Sequence, residues 1–331
     1  MSRFDSKKPP VLAIVGPTAS GKTGLSVELA KRLGGEIVSC DSMQLYRYMD
    51  VGTAKPTEEE KQGIPHHLMD FLDPTDPKGY SCADYARDAK SAVEDILSRG
   101  KLPVFCGGTG LYLDGFLRGG SFEVTDVDLD LRRELAEYAE AHGAEALHAM
   151  LREVDPEAAA ATHPNNVKRV VRAIEIYRTT GCTKSELDRR SREVESPYNA
   201  LVLGLKYRNR EILYDRIGRR VDMMLSDGLV EETIKLREMG VFETCITAAQ
   251  AIGYKELFPY LDGTATLEEV TETLKLATRH YAKRQITWFS AKPYVTWLEM
   301  DGDNGIKDFE DIVNNAEKLF SETGFCDIIK Y

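Results

Sequence analysis

Apolar positions in the first hundred residues fall into short runs separated by helical patterns. Val11 to Val15, Glu36 to Ser39 and Leu102 to Cys106 read as strands. Between them Leu25, Leu29 and Leu33 recur at helical spacing, and Ser81 with Asp84 three residues on opens a second helix. That helix runs to about Ser98 and stops at Gly100. Strand and helix in alternation predict a doubly wound parallel sheet. From 122 to 190 strand signal disappears. Leu131, Leu135 and Tyr138 space helically, as do Val167, Val170, Val171, Ile174 and Tyr177, closing at Gly181. Thr183 and Glu186 form a capping box for another short helix. Strand signal returns at Ala200–Leu205. Helical stretches around 208–225, 229–239 and 266–289 follow, then a strand at Tyr294–Leu298 and a terminal amphipathic helix on Phe309, Ile312, Val313, Ala316 and Phe320. The expected division is an α/β core begun over 1–121, an all-helical insertion over 122–190, and completion of the core over 191–331.

Strand order in such a sheet decides what meets what. Ligands sit beyond the carboxyl ends of the strands. Three chemically distinctive segments each follow a strand: Gly16 to Thr23, Cys40-Asp41, and Gly107-Gly108-Thr109. They are expected to converge on one cleft although they are far apart along the chain.

The first of these reads GPTASGKT, a full match to G-x-x-x-x-G-K-[ST]. Gly16 and Gly21 let the backbone of the loop Pro17-Thr18-Ala19-Ser20 curl so that its N–H groups, from Thr18 onward, face a polyanion. Lys22 brings positive charge to the same phosphates, and Thr23 offers a hydroxyl to Mg²⁺. A strand before and a helix after put the anion at a helix N-terminus. The loop specifies a diphosphate or triphosphate without saying which molecule carries it.

Charge and composition sharpen the picture. The chain has 331 residues and a net charge of −11, which argues against a nucleic-acid partner. Positive charge is nevertheless segregated. Lys168, Arg169 and Arg172 stand together with no acid, as do Arg279, Lys283, Arg284 and Lys292. Residues 206–220 carry Lys206, Arg208, Arg210, Arg216, Arg219 and Arg220 against Glu211 and Asp215. Such clustering on an acidic body suits a polyanion footprint, although each stretch alone reads as a solvated helix face. No apolar run approaches the ~20 residues needed to span a bilayer, and no secretory signal is expected from the opening MSRFDSKKPP. Six scattered cysteines without a C-x-x-C pair argue for reduced thiols in a cytosol rather than a zinc site. The pair His66-His67 has no cysteine or acid at ligand spacing and reads as structural.

Further segments are DSMQLYR (41–47), VGTAKP (51–56), PHHLMD (65–70), GGTGLYLDG (107–115), RVVRAIEIY (169–177), AIGYKEL (251–257) and KRQITWF (283–289). With the phosphate loop, they resemble the bacterial tRNA dimethylallyltransferases. Ser290 and Ala291 stand where an arginine often follows in relatives.

The resemblance implies transfer of a dimethylallyl group from its diphosphate to N6 of adenosine 37, beside the anticodon of tRNA. The phosphate loop then holds the prenyl donor's diphosphate with Lys22 and a Mg²⁺ on Thr23; Thr18 contacts the donor and Arg220 adds a further clamp. Asp41 is implied as the general base on N6, the competing role being a Mg²⁺ ligand at the end of its strand. Thr109 positions substrate. Ser42, Met43 and Gln44 look like a tRNA-contacting loop, with Gln44 able to bond a base edge bidentately. Lys168, Arg169, Val170, Val171 and Arg172, together with Arg132 or its neighbour Arg133, are the expected contacts to the anticodon arm. The apolar face of the same helix (Val170, Ile174, Tyr177) reads as core. The target base has to leave its stack to reach a cleft. Lys283-Arg284-Gln285 and Gly253-Tyr254-Lys255 read as RNA or structural contacts, Trp288 and Phe289 as core. A monomer in the cytoplasm is expected. The rival readings are a prenyltransferase acting on free AMP or ATP, a P-loop small-molecule kinase, and an RNA-binding protein switched by a nucleotide.

Overall fold

A computed structural model describes residues 7–119, 128–245 and 247–325. It separates into two compact units, Met1–Gly119 with Pro197–Tyr331, and Gly120–Ser196. The second begins two residues before the expected insertion and ends six after it. Thr183 announces its last helix, Lys184–Glu193, but no stop signal appears before Pro197.

The larger unit is built on a parallel sheet of six strands: β1 (Pro10–Val15), β2 (Gly35–Ser39), β3 (His66–His67), β4 (Leu102–Gly107), β5 (Asn199–Lys206) and β6 (Val295–Glu299). Their order in space is β3-β2-β4-β1-β5-β6. The β1 residues show why the run is continuously apolar. Leu12 and Ile14 enter one core, with Leu25, Leu29, Val313 and Phe320. Val11, Ala13 and Val15 enter the other, with Tyr85, Val93, Phe116 and Phe289. A parallel strand covered on both faces has no solvent side. The helices Lys22–Leu33 and Phe309–Ser321 cover the first face; Cys82–Ser98 and Gly110–Leu117 cover the second. The capping box of Ser81 with Asp84 is formed, as is that of Thr266 with Glu269.

Two strand features lay below the resolution of hydrophobic patterning. β3 is only two residues long, His66-His67, and pairs with Ile37 and Val38. His67 bonds Glu36 through Nε2 at 2.7 Å, and Arg99 and Lys101 also reach that carboxylate. Glu36 is therefore a buried acid in a central strand with three cationic or protonatable partners. Hydrogen bonding from Arg99 holds it well below the usual carboxylate range, against the opposing pull of burial.

Among its described residues the smaller unit is all helical: Leu129–His142, Ala144–Val154, Pro156–Ala161, Val167–Thr180 and Lys184–Glu193. Its core holds Leu135, Leu147, Leu151, Val170, Val171 and Ile174. The helices at 144–154 and 156–161 had no counterpart in the sequence reading. They are short, alanine-rich and separated only by Asp155, which caps the second by accepting from Ala158 N–H at 2.9 Å. Tyr177, expected in the core, is exposed, because Val170, Val171 and Ile174 already fill the buried arc of its helix.

Because Glu36 is ionised more readily in the fold than in the unfolded chain, its contribution is complete above about pH 4.3 and is lost as the pH falls from there. Glu36→Gln should lower the thermal midpoint by about 3–6 °C at pH 7. Melts from pH 7 to pH 3 should show the gap to wild type closing below about pH 4.3.

Candidate active site

Register brings the three loops level. Val15 of β1 lies opposite Gly107 of β4, and Ser39 of β2 opposite Cys106. β2, β4 and β1 are consecutive neighbours, so Asp41, Thr109 and the phosphate loop leave the same edge side by side.

The phosphate loop has the backbone its glycines permit. Gly16 sits at φ 144°, where a Cβ would lie 2.9 Å from the Leu205 carbonyl, and Gly21 at φ 95° caps the following helix. Ala19 takes a left-handed φ of 60° without being glycine, a conformation that needs support from outside. The support is visible. Arg216 Nε donates to the Ala19 carbonyl at 2.8 Å, the Tyr207 hydroxyl to that of Ser20 at 3.4 Å, and the Thr18 N–H is taken by Gln285 Oε1 at 2.8 Å. Lys22 Nζ donates to the Pro17 carbonyl at 2.6 Å, folding back across the loop. Ser20 Oγ is buried with no hydrogen-bond partner among the described residues. Thr23 stands in the first turn of the helix beyond.

Cations gather at this loop. Burial pulls Lys22 down to about 8, with Arg220 adding to the effect and Cys106 and Asp41 opposing it. Arg220 approaches the loop from the helix Arg210–Ser226. Its Nη2 makes only a limiting 3.5 Å contact to the Ala54 carbonyl, and its buried Nε has no partner among the described residues. A cation held out of water without a full set of acceptors is costly unless an anion completes it.

On the acceptor side the contacts are short and local. The Thr109 N–H donates to the Cys40 carbonyl at 3.1 Å, and the Thr109 hydroxyl accepts from Ser42 N–H at 3.0 Å. Asp41 Oδ1 accepts from Met43 N–H at 2.9 Å, which fixes the carboxylate's orientation, and the other oxygen has no hydrogen bond among the described residues. Thr109 and Asp41 are thus tied through Ser42 into one turn.

Several expectations change here. Gln44 does not present its amide outward. Its Nε2 donates to the carbonyls of Thr53 and Ala54 at 3.2 and 3.1 Å, so both donors brace the neighbouring loop instead of reading a base. That loop is also held by Glu232, whose carboxylate accepts from the N–H groups of Asp50, Val51 and Gly52 at 2.8–2.9 Å and from the Tyr254 hydroxyl at 2.8 Å. Tyr254 is therefore structural, and Gly253 packs against Gly52 with its N–H donating to Glu256 at 2.9 Å. In the helical unit, Val170 and Val171 are buried, so their side chains pack and cannot touch RNA. Lys168 and Arg169 are exposed on the same helix. Arg132 Nε and Arg172 Nη1 both bond the buried Glu175, at 2.9 and 2.6 Å. Burial pushes that carboxyl up, but the two arginines hold it below its ordinary value. Arg133 pairs with Asp130. Phe289 is core, and Trp288 packs against it. Arg216, Tyr207 and Glu232 were not singled out from the sequence; Arg216 had counted only as one charge in a basic stretch.

Comparison with known proteins identifies the family. The IPP transferase family model matches residues 44–292. A tRNA dimethylallyltransferase of Halalkalibacterium halodurans is 50% identical over 295 residues, 88% of this chain and 92% of that one. The crystal structure of a full-length tRNA isopentenylpyrophosphate transferase from Bacillus halodurans is 45% identical, with TM-score 0.70 and 98% of each chain covered. A eukaryotic dimethylallyltransferase acting on tRNA is 31% identical with TM-score 0.75, covering 94% of this chain and 77% of that one. The chain belongs to the IPP transferase family.

A lysine lowered to about 8 loses its proton as the pH rises through that value, and an anion bound beside it favours the charged form. Affinity for inorganic diphosphate, measured by titration calorimetry, should therefore fall roughly tenfold between pH 8 and 9.5. Lys22→Arg, which keeps its charge across this range, should remove that fall and so separate it from ionisation of the probe.

Proposed function

We propose that this member of the IPP transferase family moves a dimethylallyl group from dimethylallyl diphosphate to N6 of adenosine 37, next to the anticodon of tRNA, releasing diphosphate. The observation that carries the reading is the juxtaposition at one sheet edge. A phosphate loop with two half-buried cations, Lys22 resting on the Pro17 carbonyl and Arg220 with an Nε unpartnered among the described residues, adjoins the carboxylate of Asp41. The names of the relatives supply the substrate class.

In this mechanism the loop's N–H groups, Lys22 and Arg220 hold the donor's diphosphate. They stabilise charge that grows as the carbon–oxygen bond breaks and its electron pair passes to the leaving group. N6 of the adenine attacks the freed carbon and forms the new carbon–nitrogen bond. Asp41, oriented by Met43 N–H, accepts the N6 proton through its unbonded oxygen. Thr109 and Ser42 fix the turn that carries this base. The donor set suits Mg²⁺: among the described residues no three His, Cys, Asp or Glu side chains converge, and Mg²⁺ is commonly held by one or two protein oxygens plus phosphate oxygens. Thr23 would hold it, and the ion would neutralise part of the leaving charge.

RNA recognition in this reading falls to Lys168 and Arg169 on stem phosphates, assisted by Arg172 and Arg132, with Ser42 and Met43 beside the flipped base. The working unit is a monomer in the cytoplasm; among the described residues no helix is long and apolar enough to cross a membrane.

The test is transfer of labelled prenyl from dimethylallyl diphosphate, with Mg²⁺, to unmodified tRNA, AMP or ATP. Label is expected in tRNA alone; label in a free nucleotide sinks the acceptor assignment. Asp41→Asn should reduce turnover by about 10²–10⁴-fold while leaving diphosphate affinity within about threefold of wild type. A large loss of Mg²⁺-dependent diphosphate binding would instead make Asp41 a metal ligand.

A further inference from the structure

One side chain spans the two halves of the site. Gln285 lies on the helix Leu267–Ser290 and is only 5% exposed. Its Oε1 accepts from the Thr18 N–H of the phosphate loop at 2.8 Å, and its Nε2 donates to the Gly108 carbonyl at 3.1 Å. One end of an amide can only accept and the other only donate, so the two partners fix its orientation. Gly108 has no side chain because a Cβ there would overlap Nε2. One turn earlier on the same face, Tyr281 lies beside Thr109 and Asp41. One turn later Phe289 is fully buried in the sheet's core and anchors the helix. Residues at i, i+4 and i+8 thus form a single inward ridge.

We propose that Gln285 is a positioning residue that locks the donor loop and the acceptor-side segment at one spacing, so that the amine and the carbon it attacks meet in line. The inference rests on the prenyl-transfer reading above. Each half keeps anchors of its own: Arg216 and Tyr207 hold the phosphate loop, and the Cys40 carbonyl and Ser42 hold Thr109. Loss of Gln285 therefore leaves both binding surfaces formed on their paired strands but without the side-chain bridge that sets the spacing beyond the strand ends. A misplacement of about 1 Å between reacting groups costs about 10²-fold in rate.

The experiment compares wild type, Gln285→Leu and Gln285→Glu in steady-state prenyl transfer to unmodified tRNA, with calorimetric titration of inorganic diphosphate and Mg²⁺ alongside. For Gln285→Leu, kcat should fall about 30–100-fold, with both KM values and diphosphate affinity within about threefold of wild type. Gln285→Glu, whose carboxylate still accepts from Thr18 but repels the Gly108 carbonyl, should recover part of the loss. A Gln285→Leu kcat within threefold of wild type overturns the inference. So does a loss carried entirely by KM or diphosphate affinity. If leucine is not accommodated, Gln285→Met is unbranched and of similar length, and the same outcomes decide. Wild-type protein that binds diphosphate yet prenylates no tRNA overturns the reading of the reaction itself, a result visible before any variant is made.

Discussion

The hydrogen-bond register of β2, β4 and β1 is the constraint on which the rest depends. Parallel strands cannot be joined by tight turns, so every connection crosses back over a face of the sheet. All the strands then end on one edge. Pairing Val15 with Gly107 and Cys106 with Ser39 brings those ends to one level. The phosphate loop, the turn at Asp41 and the turn at Thr109 inherit their proximity from this backbone pairing, and Gln285 bridges the first and last of them. A shift of one residue would also reverse which β1 side chains face which core. The packing of Leu12 and Ile14 against one layer, and of Val11, Ala13 and Val15 against the other, therefore holds the site's geometry too.

Charge balance distinguishes the site from its surroundings. Elsewhere in each unit buried and half-buried acids are satisfied. Glu36 has Arg99, Lys101 and His67; Glu232 has three backbone N–H groups and Tyr254; Glu175 has Arg132 and Arg172; Asp114 has Lys292 and Tyr294. Removing one member of such a set strands the other, so they read as structure. At the phosphate loop the balance reverses. Lys22 rests on a backbone carbonyl, Arg220 on a limiting contact, and Ser20 Oγ on nothing among the described residues. Surplus donors beside this loop, in a chain of net charge −11, mark where an anion belongs.

Much of the core was legible because its signals are local. The loop Gly16–Thr23 declares its backbone through glycines and its chemistry through Lys22 and Thr23, and Ser81 and Thr266 declare helix starts through capping. Convergence of Asp41 and Thr109 followed from topology. What patterning missed depends on distance in the fold. Nothing about Gln44 reveals that the Thr53 and Ala54 carbonyls lie within reach, so an amide free to read a base could not be told from a brace. Glu232 looks like one more acid in a helix's first turn until three N–H groups from residue 50 onward surround it. Val170 and Val171 sit between basic residues in sequence, yet helical geometry turns them away from Lys168 and Arg169 and into the core. A two-residue strand such as β3 carries no periodicity at all.

The helix Leu267–Ser290 shows how one element serves two demands. Tyr281, Gln285 and Phe289 recur at intervals of four and face the sheet. Lys283 and Arg284 fall between them and are exposed. At 24 residues, with a capping box at its start, the helix is long and well anchored, so its two faces cannot move independently. An inward face that sets the spacing of the reacting groups and an outward face of positive charge are thereby parts of one rigid body. The basic stretch read from the sequence as a polyanion footprint and the glutamine buried within it are neighbours for a mechanical reason. Four-residue spacing packs one set of side chains inward, and the same turn of helix leaves the adjacent positions to solvent.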